Sequence, residues 1–362
     1  MRFHAPYMEW AKKRPVPRFD LAGSNILGCS IDDIDGAREA LELSGENDNG
    51  YAPLIDAIAD RYGVTSHNVT TANGTSGANF QVYAALLESG DDVLVETPGY
   101  DPLLGAPRLL GANVVRFERR FEERFALDPD RVANAITPRT RLIVITSPHN
   151  PTGVAVDRAA LEALGRLAES RGAHVLVDEV YLDATNEAAR PAALLGDTFI
   201  STSSLTKSYG LAGLRCGWAL SSPALAERIR RARDVIDGTG SIAAERLATL
   251  AFAQLPRLTS RATTLLDTNI ALVRQFFEAR PELDVVLPRA CTVVFPRLRG
   301  VNDTSAFAAR LLAERGTAIV PGRFFDAPSH FRIGFGTRTA VVEAGLRELA
   351  AALASEGSAV RG

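Results

Sequence analysis

The sequence has few cysteines and no long apolar run. Its 362 residues include only three cysteines, Cys29, Cys216 and Cys291, which are too scattered for a disulfide framework or a paired-cysteine metal site. No segment approaches the roughly 20 uninterrupted apolar residues of a membrane span, and the first residues lack the apolar core of a signal peptide. We therefore expect a cytoplasmic protein that binds neither a membrane nor a metal.

An excess of charge of one sign is also missing. The 40 Lys and Arg residues stand against 43 Asp and Glu residues, which gives a formal net charge of -3. This balance gives no electrostatic basis for binding nucleic acid, so we expect small molecules or a second copy of the chain as partners. The glycine patterns G-x-x-x-x-G-K-[ST] and G-x-G-x-x-G are absent, which argues against a nucleotide-dependent dehydrogenase.

What the sequence does contain, from about residue 70 to 220, is an alternation of short β-rich runs with amphipathic or alanine-rich segments. The runs begin near residues 92, 113, 141, 174, 198 and 216. Such alternation is typical of an α/β fold, in which a mostly parallel sheet carries helices on both faces. The runs at 141 and 174 are nearly all apolar and suit its centre. Two helices are predicted between about residues 222 and 280.

The pattern changes after residue 283, where shorter strands and two helices predict a small α+β unit. The N-terminal segment is expected to join this unit, because the two flank the larger one in sequence. We predict an N-terminal segment over residues 1–44, a large domain over 45–245 and a small C-terminal domain over 246–362. The chain length is sufficient for two hydrophobic cores.

Polar side chains follow two of the predicted parallel strands. The run H-V-L-V ends at Asp178, and R-L-I-V-I-T leads into S-P-H-N-P-T-G, which contains Asn150. Ligands of open α/β sheets bind outside the carboxyl ends of the strands, so both side chains are expected at a ligand site. Taken alone, Asp178 also fits a simple strand-end residue and Asn150 a turn.

A cluster of small residues, T-T-A-N-G-T-S-G, precedes a helix predicted to begin near Gly77. The free N–H groups and the dipole of a helix start suit a phosphate dianion, and Thr75 and Ser76 add hydroxyl groups. Ser76 could also act only as a helix cap. In the absence of a nucleotide motif, a monophosphate is the better candidate ligand.

A single lysine, Lys207, lies in S-S-L-T-K-S-Y-G-L-A-G-L-R, just after a predicted strand. Burial beside Leu205 and Tyr209 and the nearby charge of Arg215 should lower the pKa of its amine. Such an amine can form a Schiff base. A lysine, a carboxylate, neutral donors and a phosphate cradle are the groups that pyridoxal 5'-phosphate requires.

Three motifs occur in this order: S-P-H-N-P-T-G, D-E-V-Y and S-L-T-K-S-Y-G-L-A-G-L-R. On these motifs the sequence resembles the class I/II aminotransferases, which are pyridoxal-phosphate enzymes of fold type I, over nearly its whole length. The resemblance implies a large domain with a mostly parallel seven-stranded sheet and a smaller α+β domain. It also implies transfer of the amino group of an L-amino acid to a 2-oxo acid, and a homodimer with shared active sites.

The resemblance further implies a role for each matching residue. Lys207 should hold the cofactor as a Schiff base and carry a proton, and Asp178 should pair with the pyridine nitrogen. Asn150 and Tyr181 should donate hydrogen bonds to the phenolic oxygen, and Tyr100 should stack on the ring. The residues implied around the phosphate are Gly74, Thr75, Ser76, Ser204, Arg215 and, from the neighbouring subunit, Tyr51.

For the substrate, the resemblance implies that Arg332 binds the α-carboxylate with a bidentate fork, with Asn25 and Asn150 close by. No counterpart is found to the second arginine that binds dicarboxylic substrates. The matching region, R-D-V-I-D-G-T-G-S, offers Asp237 instead. Asp237, together with Glu46, is therefore expected to face the substrate side chain and to favour a polar or basic amino acid.

The reaction itself stays open at this point. The length and the T-K-S-Y-G-L-A-G-L-R pattern resemble histidinol-phosphate aminotransferases, but N-G-Y-A-P replaces their usual Tyr-Pro-Asp, which argues against an imidazole phosphate substrate. The tail, with A-C-T-V-V-F-P-R-L-R-G and F-R-I-G-F-G, resembles capreomycidine synthase, a cyclising member of the family. Alternatives to transamination are thus a cyclase, a C–S lyase-like enzyme or a catalytically silent relative.

Overall fold

The computed structural model describes residues 4–184 and 190–359. Within these ranges the helices are α1 (Pro6–Lys13), α2 (Ala52–Tyr62), α3 (Gly74–Leu86), α4 (Pro102–Leu109), α5 (Pro129–Ala135), α6 (Arg158–Ser170), α7 (Pro223–Ile236), α8 (Ile242–Ala253), α9 (Leu255–Glu278), α10 (Ser305–Arg315) and α11 (Thr339–Ala359). None of these helices combines the length and the apolar character that crossing a bilayer requires.

The strands in the same ranges are β1 (Phe19–Asp20), β2 (Val69–Asn73), β3 (Asp92–Thr97), β4 (Asn113–Glu118), β5 (Thr140–Thr146), β6 (His174–Asp178), β7 (Phe199–Ser204), β8 (Cys216–Leu220), β9 (Leu283–Asp284), β10 (Val293–Val294), β11 (Arg297–Leu298), β12 (Thr317–Ala318), β13 (Val320–Pro321) and β14 (Phe331–Gly334).

A seven-stranded sheet in the order β2-β8-β7-β6-β5-β3-β4 forms the centre of the larger part. Strand β8 runs antiparallel to both of its neighbours, and the other pairings in this sheet are parallel. The prediction of an α/β fold with a mostly parallel seven-stranded sheet is therefore confirmed. The six predicted runs correspond to β3 to β8, and β2 is a strand that the residue pattern did not reveal.

Both faces of this sheet are covered, as the apolar runs predicted. In β5, Leu142 and Val144 pack with residues of α3, α4 and α7, whereas Ile143 and Ile145 pack with residues of α5 and α6. This alternation is the period-2 geometry of a strand. Because each buried aliphatic side chain contributes about 1.5–3 kcal/mol, a strand buried on both faces is held rigidly in place.

Two predicted helix boundaries are wrong. Helix α3 begins at Gly74 and not near Gly77, because Gly74 has a φ of 69° and turns the end of β2 directly into the helix. Residues 222–280 form three helices rather than two. Pro256 lies in the first turn of α9, where its missing N–H is tolerated, so the chain ends α8 and starts a new helix there.

Residues 19–27 form a segment that we call the strap, which lies between the N-terminal helix and the small C-terminal sheets. Its β1 pairs in parallel with β12, and Leu21 N donates to Ala318 O at 3.0 Å. Farther along, Ile26 N donates to Lys207 O at 3.1 Å. Leu21 and Ile26 are buried among apolar residues of α9, α10 and α11. The N-terminal chain thus contacts the C-terminal part, although the domain limits after residues 44 and 245 stay predictions.

Candidate active site

One edge of the seven-stranded sheet carries the ends of its parallel strands. Asp178 is the last residue of β6, Asn150 lies in the loop after β5, and Lys207 lies three residues after β7. These three residues, which we call the sheet edge, come together because the carboxyl ends of parallel strands face the same side. Three residues predicted from separate motifs therefore share one site.

Asp178 is buried, and its carboxylate is bonded by amide groups. Asn79 Nδ2 donates to Asp178 Oδ2 at 2.9 Å, and Val180 N donates to Oδ1 at 3.2 Å. Asn79 is itself fixed by Thr202 Oγ1, which donates to Asn79 Oδ1 at 2.6 Å. Burial raises the pKa of Asp178, and the hydrogen bonds oppose this shift. A buried carboxylate held by neutral donors is suited to receive a cationic ligand group.

Lys207 is held from the opposite side by the strap. Its Nζ donates to Ser24 Oγ at 2.9 Å and to Asn25 Oδ1 at 2.7 Å. Burial, and then the positive charge of Arg332, lower the pKa of Lys207 to about 7, against the opposing pull of Asp178. A large fraction of this amine is therefore neutral, and hence nucleophilic, near neutral pH.

Arg332 is fully buried and connects the small C-terminal part to the sheet edge. Its Nη1 donates to Asn150 Oδ1 at 2.8 Å, and its Nη2 donates to Tyr7 OH at 2.7 Å and Ala22 O at 3.0 Å. The guanidinium carbon lies 5.2 Å from the centre of the Tyr7 ring. A buried arginine without a carboxylate partner among these contacts is a fitting site for an anionic ligand group.

A buried ion pair supports the loop that carries Asn150. Arg119 Nη1 lies 3.0 Å from Glu96 Oε2, and both side chains are fully buried. Glu96 Oε1 accepts from Thr146 N and from Thr146 Oγ1, each at 2.6 Å. Thr146 Oγ1 in turn accepts from Asn150 N at 3.0 Å. The position of Asn150 is thus coupled to a charge pair in the sheet.

The small-residue cluster lies at the start of α3, at the same side of the sheet. Thr75 Oγ1 donates to Ser204 Oγ at 2.9 Å, and Gly74 N donates to Arg215 O at 2.7 Å. A Cβ on Gly74 would collide with the Arg215 guanidinium, so only glycine lets this side chain lie across the helix start. Ser76 and Arg215 are exposed. This arrangement brings together five of the six residues predicted to surround a phosphate, all but Tyr51.

Two tyrosines complete the walls of the site. Tyr181 is fully buried, and its hydroxyl has no hydrogen-bond partner within residues 4–184 and 190–359. Tyr100 OH donates to Met8 Sδ at 3.4 Å, and its ring packs edge-on against Tyr7 with ring centres 5.9 Å apart. Burial raises the pKa of both Tyr100 and Tyr181, so both hydroxyls stay protonated and can donate.

A cavity of about 460 Å³ opens between the strap, α1 and Lys207. Its lining includes Ser24, Asn25, Tyr100 and Lys207. This volume suits a small ligand. In the described ranges, no group of three or more His, Cys, Asp or Glu side chains is arranged to hold a metal ion.

Three predicted residues, Tyr51, Asp237 and Glu46, make none of the site contacts described above within the same chain. Tyr51 precedes α2, and its backbone N donates to Glu245 Oε2 at 2.9 Å. Asp237 follows α7, with its Oδ1 3.8 Å from Arg233 Nε. Neither Asp237 nor Glu46 is among the residues that line the cavity. The roles predicted for Tyr51, Asp237 and Glu46 therefore depend on a second subunit and stay predictions.

Residue patterns did not point to several members of the site. Asn79 orients Asp178, Tyr7 binds Arg332, and Ser24 binds Lys207. Asn79 lies in the helix that follows the predicted phosphate cluster, but that helix also contains Thr75, Ser76 and Gln81, so its sequence does not single out Asn79. The other two contacts join residues more than 180 positions apart, which no local pattern encodes.

The donor set fits pyridoxal 5'-phosphate. The amine of Lys207, which can be neutral, matches the aldehyde of this cofactor, and the buried carboxylate of Asp178 matches its pyridine nitrogen. The buried Tyr181 hydroxyl matches the phenolic oxygen, and the start of α3 with its two hydroxyl groups matches the phosphate. Tyr181 lies beside the amine, since its ring centre is 6.0 Å from Lys207 Nζ, which places its buried hydroxyl to bond a ligand held there.

Comparison with known proteins defines the class. Residues 34–349 match the family described as aminotransferase class I and II. The chain is 32% identical to capreomycidine synthase of Streptomyces vinaceus, across 94% of this chain and 92% of that protein. A PLP-dependent aminotransferase from Streptococcus suis superimposes with a TM-score of 0.92 at 26% identity, across 98% of this chain and 99% of that one. The PLP-dependent cyclase OrfR superimposes with a TM-score of 0.88 at 28% identity, across 98% of this chain and 97% of that one.

The fold and the site thus define a pyridoxal-phosphate-dependent enzyme. The chain belongs to the class I and II aminotransferase family, and its cofactor is pyridoxal 5'-phosphate. Amino acids are the substrate class of this family, and the chain's relatives include both an aminotransferase and a cyclase.

Proposed function

We propose that this enzyme transfers the amino group of an L-amino acid to a 2-oxo acid, with Lys207 as the residue that holds the cofactor covalently and moves the proton. The observation that carries the proposal is the lowered pKa of Lys207, about 7, at a site that also contains Asp178 and Arg332. Bound pyridoxal phosphate supplies an aldehyde that condenses with amines and a ring that accepts the electron pair of a bond at the substrate Cα.

The remaining groups would hold the cofactor in one orientation. Asp178 would pair with the pyridine nitrogen, and Asn150 and Tyr181 would hydrogen-bond the phenolic oxygen. The phosphate would lie at the start of α3 among Gly74, Thr75, Ser76, Ser204 and Arg215. These assignments are supported by the buried carboxylate of Asp178 and by the Tyr181 hydroxyl, which has no partner in the described part of the chain.

Arg332 would bind the substrate α-carboxylate, with Asn25 and Asn150 beside it. The positive charge of Arg332 is buried and rigid, because Asn150, Tyr7 and Ala22 hold its two terminal nitrogens. A carboxylate held there fixes the substrate Cα relative to the amine of Lys207. The neutral Lys207 Nζ would then remove the proton from Cα, and Asn25 and Ser24 would keep the amine oriented.

A homodimer with shared sites is part of the proposal. Tyr51 would reach the cofactor phosphate of the neighbouring subunit, and Asp237 and Glu46 would approach that subunit's substrate. Four large apolar side chains are exposed near these residues in sequence: Leu41, Leu43, Val235 and Ile236. Exposed apolar patches of this kind favour burial against a second copy. The cysteines are free thiols, which suits our proposal of a cytoplasmic location.

The Lys207→Ala variant tests the central assignment. Removing the amine should lower turnover of amino acids by about 10²–10⁴-fold and change the visible absorbance of the cofactor-loaded protein. Lys13→Ala is the control, since Lys13 is 75% exposed and pairs only with Glu9 on the same helix. Wild-type turnover by Lys207→Ala would contradict the proposal. A colourless wild type without turnover would instead indicate a catalytically silent relative.

A second candidate function, a PLP-dependent cyclase or lyase acting on a polar or basic amino acid, is favoured by the similarity to capreomycidine synthase and OrfR. The same residues at the sheet edge would bind the cofactor in this second function.

Mixing the cofactor-loaded enzyme with amino acids, without any oxo acid, distinguishes transamination from elimination or cyclisation. Transamination yields a 2-oxo acid with a lasting change in absorbance. Elimination releases ammonia, cyclisation yields a ring product, and in both the absorbance returns to its starting state.

A further inference from the structure

The cavity beside Lys207 is lined by few charged side chains. Among the described residues that line it, Asp20 is the only carboxylate. Lys207, whose pKa is lowered to about 7, is the only basic side chain in the lining. An acidic substrate side chain would meet the negative charge of Asp20, whereas a cationic one would be attracted to it.

The strap holds Asp20 at a fixed distance from the carboxylate-binding arginine. Asp20 is the second residue of β1, in register with Ala318, and its Oδ1 accepts from Ala22 N at 2.9 Å. The carbonyl of Ala22 accepts from Arg332 Nη2 at 3.0 Å. Two residues of chain span at most about 7 Å, so Asp20 lies within reach of a long side chain whose α-carboxylate is bound at Arg332.

The carboxylate of Asp20 has room for a further donor. Its Oδ2 accepts from Arg14 Nη2 at 2.7 Å, and its side chain is 47% exposed. A carboxylate offers about four acceptor positions, and these two contacts occupy two of them. Arg14 is only 12% exposed, so a ligand cation would share the carboxylate with Arg14 from the solvent-exposed side of Asp20.

The wall next to Asp20 suits an aliphatic stem. Met8 and Ala11 of α1 line the same cavity, and both are largely apolar. Long basic side chains bury their methylene groups against such surfaces and keep the charged end at a polar rim. Met8 and Ala11 thus give the cavity that contains Asp20 an apolar wall for the methylene groups of such a side chain.

We infer that Asp20 recognises the side chain of the substrate, and that this substrate is an L-amino acid with a cationic side chain, such as a guanidinium or an ammonium group. The inference rests on the proposed function, because it takes Arg332 as the α-carboxylate site. It differs from the prediction for Asp237, which lies outside this cavity in the same chain. Asp20 acts from within the subunit that holds Lys207, whereas Asp237 would have to act from a neighbour.

The first test compares L-arginine with L-citrulline, its neutral counterpart of similar size, on the cofactor-loaded enzyme. Wild type should have a kcat/KM for L-arginine about tenfold or more above that for L-citrulline, the effect of one charge-assisted hydrogen bond. Asp20→Asn should lose most of this preference with little change for L-citrulline, and Asp20→Glu should keep it. Asp32→Asn is the matched control, because Asp32 also pairs with an arginine, Arg38, but lies exposed outside the cavity lining, and it should keep the preference.

The second test measures binding without reaction. The probes are 5-guanidinopentanoate and 5-ureidopentanoate, which lack the α-amino group, titrated by calorimetry into the cofactor-loaded protein. Wild type and Asp32→Asn should bind the guanidino compound about tenfold more tightly than the ureido compound, and Asp20→Asn should bind both alike. A thermal melt of each variant shows whether it is folded, because a merely structural role would weaken both probes equally.

Equal use of L-arginine and L-citrulline by wild type would overturn the inference. So would a preference that survives in Asp20→Asn or disappears in Asp32→Asn. Failure of the proposed function gives a different result: no amino acid would change the cofactor spectrum of the wild type, while the two non-reactive probes would still report on Asp20.

Discussion

The sheet edge and the strap meet at Lys207 but are built in different ways. The sheet edge stands on strands buried on both faces and on the fully buried pair of Glu96 and Arg119. The strap is a short extended segment, held by backbone hydrogen bonds to distant parts of the chain and exposed at Asp20. In our proposal the first places groups that bind the cofactor, and the second places groups that contact the substrate.

This difference suggests a division of labour. A rigid sheet edge preserves the positions of Asp178 and Asn150 in any member of the fold that binds the same cofactor. A strap that depends on a few hydrogen bonds can carry different side chains without disturbing the sheet. Substrate specificity is therefore expected to vary along the strap, and the cofactor chemistry to depend on the sheet.

The largest expected effect comes from breaking the buried pair below the sheet edge. Arg119→Leu leaves the Glu96 carboxylate buried without its cation, so the free energy of unfolding should fall by about 3–5 kcal/mol. Burial already raises the pKa of Glu96, and loss of Arg119 should raise it further. Chemical denaturation measures the change.

The neighbouring Arg120 provides the control for this experiment. It pairs with Glu118, and both side chains are more than half exposed. Arg120→Leu should therefore change the free energy of unfolding by about 0.5 kcal/mol or less. If both variants lost the same amount, the buried pair would not be what makes the sheet edge rigid.

A smaller effect is expected where the strap meets the small sheets. A Cβ on Gly336 would lie 2.5 Å from Asn25 O, so Gly336→Ala must displace the strap at Asn25, whose side chain accepts from Lys207 Nζ. We expect a loss of about 1–3 kcal/mol in the free energy of unfolding, together with a raised KM for the amino acid. Thermal melts and steady-state kinetics on the same sample measure both.

Gly105→Ala is the matched control for the strap variant. Gly105 lies in α4, has no heavy atom within 4 Å of the added Cβ, and does not have a positive φ. Alanine there should leave KM unchanged and keep or slightly raise stability. An unchanged KM in Gly336→Ala, despite lost stability, would show that the strap does not position the substrate.

The same comparison explains which parts of the molecule could be predicted from sequence. Asn150, Asp178 and Lys207 each follow a strand, so a local pattern and a general rule about sheet edges were sufficient to place them. The motif around Lys207 also carried the cofactor prediction. The α/β fold followed from the alternation of strands and helices.

The contacts of the strap could not be predicted in this way. Ser24 and Asp20 lie in a stretch with a two-residue strand and no distinctive periodicity. Their places are set by pairing with residues that follow about 180 to 300 positions later in the sequence. The start of α3 was missed for a related reason, since Gly74 can end a strand and begin a helix in one step only through its positive φ.

The smallest expected effect concerns the pKa of Lys207, where the sheet edge meets the strap. The rate at which the cofactor-free protein captures pyridoxal phosphate should depend on the neutral amine of Lys207. It should therefore rise with pH and be half-maximal near pH 7. Arg332 is the second cause of this lowered pKa after burial, so Arg332→Gln should raise the pKa and move the midpoint to higher pH, by roughly one unit or less.

Rapid mixing with detection of the cofactor's absorbance gives the pH profile directly. Arg323→Gln is the control, because Arg323 is exposed and does not contribute to the pKa of Lys207. A midpoint that stays near 7 in Arg332→Gln would leave burial and Arg215 as the causes of the lowered pKa of Lys207. In that case the strap and Arg332 would position the substrate without tuning the amine, and the two regions of the site would be electrostatically independent.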